Sequence, residues 1–182
     1  MQKLLLFLAF ILFGFSCFAQ KQGGVHKYTL QENGKILFSD TIQTQLSPSD
    51  IEKWLTSTFL PGKGKINNNN SLLGLVSCRV VDYLEIEKTD WKLFAMYMRY
   101  TLTFRFEDGQ CFVSLQNINF LEPDNVNNAE DENNYLSAEF VLVQKKYKPI
   151  FNRKASDKIA TAAYSRIDEL FATIEQVLSS GN

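Results

Sequence analysis

Alternation of apolar and polar positions is the strongest regular signal in the chain. Met96, Met98, Tyr100, Leu102, Phe104 and Phe106 alternate with Tyr97, Arg99, Thr101, Thr103 and Arg105. A period of two held over this length predicts a strand with one apolar face. Asp108-Gly109 follows at once, and that dipeptide tolerates the positive φ angles of a two-residue hairpin turn. Such a turn sets Glu107 opposite Gln110, Phe104 opposite Val113 and Leu102 opposite Leu115, so both strands turn their apolar residues to one face. Beyond Gln116 the phase shifts to Ile118 and Phe120, which predicts a bulge near Asn117. The hairpin is expected over 92–107 and 110–121.

Further strands are weaker copies of this pattern. Val76, Cys78, Val80, Leu84 and Ile86 share one parity and predict a strand over Leu73 to Glu87. Asn33-Gly34 marks a hairpin between Lys27–Gln31 and Lys35–Ile42. Tyr135 to Gln144 reads as another strand, placed at an edge. Asn67–Asn70 reads as a polar loop. Two segments carry the helical period instead. Ser47-Pro48-Ser49-Asp50 is a start signal, with Ser47 as N-cap, Pro48 where a missing N–H costs nothing, and Asp50 closing a capping box. Ile51, Trp54, Leu55 and Phe59 then share a stripe, ended by Pro61-Gly62. The second helix is expected from about Ser156-Asp157, with Ala160, Ala163, Tyr164, Ile167, Leu170, Phe171, Ile174, Val177 and Leu178 at 3.6 spacing and Gly181 closing it. Strand, strand, helix, several strands and a long helix predict an α+β domain, an antiparallel sheet packed on the long helix and one shorter one.

The pattern at the N-terminus is of another kind. Lys3 precedes an unbroken apolar run from Leu4 to Phe13, and Gly14, Ser16, Cys17 and Ala19 then supply small side chains. This is the layout of a signal peptide over 1–19, and the run is short of the ~20 residues a spanning helix needs. Cleavage after Ala19, leaving Gln20 first, fits Cys17 and Ala19 at −3 and −1. Lipidation of Cys17 is the alternative, and Phe15 suits it poorly. The chain is therefore read as exported, periplasmic or secreted, with Gln20–Asn182 forming a single domain.

The formal net charge is −1, so neither its sign nor its size draws the chain to nucleic acid, and no nucleic-acid partner is expected. An exported chain can pair its remaining cysteines, Cys78 and Cys111. If 73–87, 92–107 and 110–121 form a meander, the two lie two strand spacings apart, roughly 10 Å, beyond the ~7 Å a disulfide spans. Buried free thiols are favoured, and a disulfide stays open if the strand order differs.

Trp54-Leu55 on the capped helix, the Gly62-x-Gly64 exit, "YTLTFRFEDGQCFVSLQNI" at Tyr100–Ile118 and "RIDELFATIEQVL" at Arg166–Leu178 carry a resemblance. The chain resembles a family of exported bacterial domains of unknown function with a TATA-binding-protein-like (TBP-like) fold, a curved antiparallel sheet gripping a long helix. The resemblance implies that fold and an exported location. It brings no catalytic residues, and a fold name does not import DNA binding.

Candidate chemistry is sparse. His26 is the only histidine, and it reads as a surface residue near a loose terminus. No catalytic or metal-binding motif is present, and no cofactor is expected. Gly62-Lys63-Gly64-Lys65 lacks the ending of a phosphate loop and reads as a helix exit turn. Glu122, Asp124, Glu130, Asp131 and Glu132 sit in a connector whose spacing does not fit a calcium loop. Two surfaces remain as binding candidates. One is the outward face of the sheet, with Arg79, Tyr83, Tyr97, Arg99, Arg105 and Phe112. The other is the basic connector Lys145 to Lys154, with Lys145, Lys146, Lys148, Arg153 and Lys154, which either meets an anionic glycan, a lipid or an acidic partner, or tucks Tyr147, Ile150 and Phe151 under the sheet. The function expected is a non-enzymatic binding or interaction module of the cell envelope. The alternatives are an accessory or inhibitor-like protein serving one partner, and, behind both, a carboxylate-based hydrolase using Asp82 with Glu85 or the 124–132 cluster.

Overall fold

The computed structural model describes residues 26, 28–70, 73–89, 92–128, 134–149 and 154–180. Cys17, Ala19 and Gln20, where processing is expected, the connector residues Ile150, Phe151 and Arg153, and the acidic residues Glu130, Asp131 and Glu132 lie outside them.

The sheet is antiparallel and built from β1 (Tyr28–Leu30), β2 (Ile36–Gln43), β3 (Gly64–Asn70), β4 (Leu75–Thr89), β5 (Lys92–Glu107), β6 (Gln110–Leu121) and β7 (Leu136–Ser137). The order across it is β1-β2-β6-β5-β4-β3, and β7 pairs with β6 beyond the end of β2. The central hairpin keeps the predicted register, with Glu107 against Gln110, Phe104 against Val113 and Leu102 against Leu115. Asp108 at φ 51° and Gly109 at φ 75° make the turn. The ladder breaks between Arg99 and Thr101, opposite Asn117 at φ 55°, which is the predicted bulge.

The apolar parity of each strand faces one helix. Val76, Cys78 and Val80 of β4, Met96 to Phe104 of β5 at alternate positions, and Val113, Leu115 and Phe120 of β6 are buried against helix α2 (Ala155–Ser179). That helix contributes Ile159, Ala163, Ile167, Leu170, Phe171, Ile174 and Leu178 on a single stripe. Each Val, Leu, Ile, Phe or Met among them that is removed from water stabilises the fold by about 1.5–3 kcal/mol, which fixes which face of the sheet α2 covers. The shorter helix α1 (Pro48–Trp54) starts with both bonds of the capping box between Ser47 and Asp50. The Ser47 bonds hold the Asp50 carboxyl below its ordinary value. A π-helical turn at Leu55–Phe59 carries the stripe on to Gly62, which turns the chain at φ 75°.

Three expectations need correction. Tyr135–Gln144 is not a strand throughout: only Leu136–Ser137 pairs, and Glu139–Val143 is a π-helical turn. Its buried residues Ala138, Val141 and Leu142 follow an i, i+3, i+4 spacing, and the Glu139 carboxylate accepts the backbone N–H of Ile36 at 2.9 Å. Asn67–Asn70 is not a loop but the end of edge strand β3, laddered to β4 with a bulge between Ile66 and Asn68. An edge strand holds its place by backbone bonds, so a polar sequence suffices there. Finally, His26 is not loose. Its ring stacks on Phe171 with centroids 4.5 Å apart, and Nδ1 lies 2.9 Å from Asp168 Oδ1.

Cys78 and Cys111 are free, buried, and separated by the whole of β5, as the meander requires. Burial pushes both thiols up to about 12.

Candidate functional site

The face of the sheet turned away from α2 carries the second parity of β2 to β6, and the strand pairing sorts its residues into cross-strand rows. Leu75, Arg105, Phe112 and Thr41 form one row, and Ser77, Thr103, Ser114 and Ser39 the next. Lys65, Arg79, Thr101, Gln116 and Leu37 form the third. Val81, Arg99, Asn119 and Ser137 follow, then Tyr83, Tyr97 and Leu121.

These rows divide the six sequence candidates among three places. Arg105 lies over the Phe112 ring at 4.8 Å and 3.8 Å from Glu107, a self-contained cross-strand pair at the hairpin end. Tyr83 and Tyr97 meet edge to face, 5.3 Å between centroids, at the opposite end. Arg79 and Arg99 lie between them on adjacent rows. Arg99 and Arg105 stand six positions apart on β5, roughly 20 Å, so the candidates do not form one site.

The middle position is a hollow of about 280 Å³ lined by Arg79, Arg99, Thr101, Asn117, Asn119 and Tyr135. The Arg99 guanidinium lies 3.7 Å from the centre of the Tyr135 ring, a contact that fixes its plane. The bulge at Asn117 brings the carboxamides of Asn117 and Asn119 to the wall, with Asn119 Nδ2 donating to the Asn117 backbone carbonyl at 2.8 Å. Lys65 stands directly opposite Arg79, and both are exposed. Like charges so opposed destabilise a sheet, and neither side chain has an acidic partner among the described residues. Sequence reading missed Lys65, Asn117, Asn119 and Tyr135. The bulge was legible, whereas Lys65 lay in an expected turn and Tyr135 in an expected strand.

A second cleft, about 420 Å³, opens at the tyrosine end, with Tyr83, Leu93, Phe94, Met96, Tyr147 and Pro149 among its walls. Tyr147 donates its hydroxyl to Glu122, and burial followed by that carboxylate pushes the phenol well above its ordinary range. Asp124 is exposed at the same rim.

Asp82 and Glu85, the pair suggested for acid–base work, do not meet. Asp82 points to the helix side and Glu85 to the opposite face, because they differ by an odd number of strand positions. Asp82 is almost closed to solvent and crowded with donors. The Tyr100 hydroxyl donates at 2.8 Å, Arg166 Nε at 3.1 Å and Nη2 at 3.2 Å, and Lys63 Nζ lies 3.9 Å away. The carboxylate bonds hold the Arg166 guanidinium above its ordinary value, and burial, then Asp82, drives the Tyr100 phenol far up. This is a clamp between β4, β5 and α2, built like a structural ion pair. Among the described residues no group of three or more His, Cys, Asp and Glu side chains is arranged to hold a metal ion.

The basic connector divides too. Lys145, at φ 52°, pairs with Asp157 at 2.8 Å, while Lys146, Lys148 and Lys154 are exposed. Tyr147 packs against the core. Among the described residues no helix is long and apolar enough to cross a membrane.

No protein-family model and no curated protein matches the sequence. Two solved structures share the fold. A DUF4468 family protein from Bacteroides ovatus superposes with a TM-score of 0.62 at 18% identity, over 81% of this chain and 88% of its own. A TBP-like protein from Parabacteroides distasonis gives 0.60 at 15% identity, over 84% and 97%. The fold is therefore TBP-like, an open antiparallel sheet closed on one face by a long C-terminal helix, as the resemblance of the sequence implied.

Proposed function

We propose that the chain is an exported, non-enzymatic binding module of the bacterial cell envelope, made with a signal peptide over 1–19 and working as a single domain from Gln20. Its binding surface is the open sheet face around Arg79 and Arg99. The observation that carries this reading is the direct opposition of Lys65 and Arg79, two exposed cations with no acidic partner among the described residues, beside a polar hollow. Folding gains nothing from that arrangement, and an anion between the two cations would relieve it.

The test is amide hydrogen exchange of the protein with and without a cell-envelope extract. Protection of β4, β5 and β6, lost in an Arg79→Gln variant, is expected. Protection confined to α2, or none at all, would refute the reading.

A second reading has its own observation. Tyr83 (47% exposed) and Leu93 (55% exposed) flank the apolar cleft, and exposed aromatic and aliphatic residues of this kind suit a protein partner. That supports an accessory protein. It would show as exchange protection at Leu93–Met96 that the Arg79→Gln change leaves intact.

A further inference from the structure

We infer that the ligand of the Lys65–Arg79–Arg99 region is an acidic saccharide, one whose sugar rings carry carboxylates; this rests on the binding reading above and names its ligand class.

Charge argues for an anion, but the neutral groups decide which one. A bare inorganic anion needs donors alone. Around the cations the wall instead offers groups that both donate and accept: the hydroxyl of Thr101 and the carboxamides of Asn117 and Asn119, with Gln116 next to Thr101 on the same row. Thr103 and Ser114 extend the same character one row further along the strands. A ligand that uses such a strip must itself present groups that donate and accept at close intervals, which is what sugar hydroxyls do. The carboxylate of a sugar acid fits the planar fork of a guanidinium in a two-bond pairing. Arg79 has the freedom to make it, because its side chain has no partner among the described residues. Lys65 stands beside it as a second positive charge. On the next rows Arg99 is braced on Tyr135, and the Tyr83–Tyr97 pair offers ring faces and edges to the apolar side of a pyranose.

Size agrees. The hollow holds about 280 Å³, space for a single ring rather than a chain, and it is open to the sheet face. Successive sugar units would therefore run across the rows, with one acidic ring seated between Arg79 and Asn119.

The test uses three probes on the purified protein: tetragalacturonate, neutral maltotetraose and inorganic phosphate. Binding is read by calorimetry and by amide chemical shifts. Tetragalacturonate is expected to bind, to shift the amides of Arg79, Arg99, Thr101 and Asn119, and to weaken as salt rises. Arg79→Gln and Lys65→Gln each lower its affinity, Arg79→Gln by at least about tenfold. Lys53→Gln, on the exposed side of α1, leaves it within twofold. Equal binding of maltotetraose on the same rows overturns the acidic class while leaving the binding module intact. Phosphate binding as tightly as tetragalacturonate, at the same residues, reduces the site to a simple anion pocket and overturns the saccharide. If none of the probes shifts this face, the inference fails, and the exchange experiment with envelope extract still decides the binding reading separately.

Discussion

Replacing Asp82 by Asn probes a charged cluster that the fold closes over. The carboxylate is 5% exposed and holds Arg166, 29% exposed, through two bonds, with Tyr100 as a third donor. Removing one partner of a buried pair costs about 3–5 kcal/mol, chiefly because the other charge is left uncompensated. Arg166 keeps some water and a second carboxylate, Glu169, at 3.3 Å, so Asp82→Asn should cost about 2–3 kcal/mol, below the full range. Arg166→Met strands the less exposed charge and should cost more, about 3–5 kcal/mol. The double variant should cost clearly less than the sum of the two, giving a coupling of at least about 1.5 kcal/mol. Urea unfolding followed by tryptophan fluorescence measures all three. A coupling near zero, or Asp82→Asn costing more than Arg166→Met, would refute the clamp as described.

Three other outcomes are expected. Both thiols titrate near 9.0 when unfolded and about 12 when folded, so the stability they contribute is complete below pH 9 and is lost as pH rises toward 12; at pH 10 each thiol gives up about 1.4 kcal/mol, and Cys78→Ala should flatten the alkaline limb of a stability–pH curve. Tyr164 buries a hydroxyl with no partner among the described residues, so Tyr164→Phe should raise stability by about 1 kcal/mol in urea unfolding, and a loss of that size would mean the hydroxyl is bonded after all. A Cβ on Gly64 would lie 2.1 Å from the Arg79 carbonyl oxygen, so Gly64→Ala should destabilise by about 1–3 kcal/mol and move the Arg79 amide resonance; an unchanged spectrum would contradict the close β3–β4 approach.

The sequence made the long-period features legible because periodicity survives without knowledge of neighbours. The β5–β6 register, the bulge at Asn117, the Ser47 capping box and the stripe of α2 all follow from local pattern. What failed depended on context. "SAEFVLV" alternates weakly enough to suit either period, and the Glu139 bond to Ile36, made across the fold, accompanies the helical one. The polar "NNNN" becomes a strand only because β4 offers it a ladder. Asp82 could be placed on the inward parity of β4, but its partner Arg166 is far along the chain, beside the apolar stripe of a helix that need not have crossed there. The candidate site was half legible for the same reason. Arg79 and Arg99 were chosen from strand parity, whereas grouping them with Lys65, Asn119 and Tyr135, and apart from Arg105, required the order of the strands.

The most direct measurement is native mass spectrometry of the protein recovered from its own cell envelope, wild type beside a Lys65→Gln/Arg79→Gln variant. The expected result is a chain beginning at Gln20 that carries a non-covalent ligand mass in the wild type and loses it in the variant. The same bound mass on both proteins, or none on either, would contradict binding at the open sheet face; an acylated chain beginning at Cys17 would contradict simple cleavage.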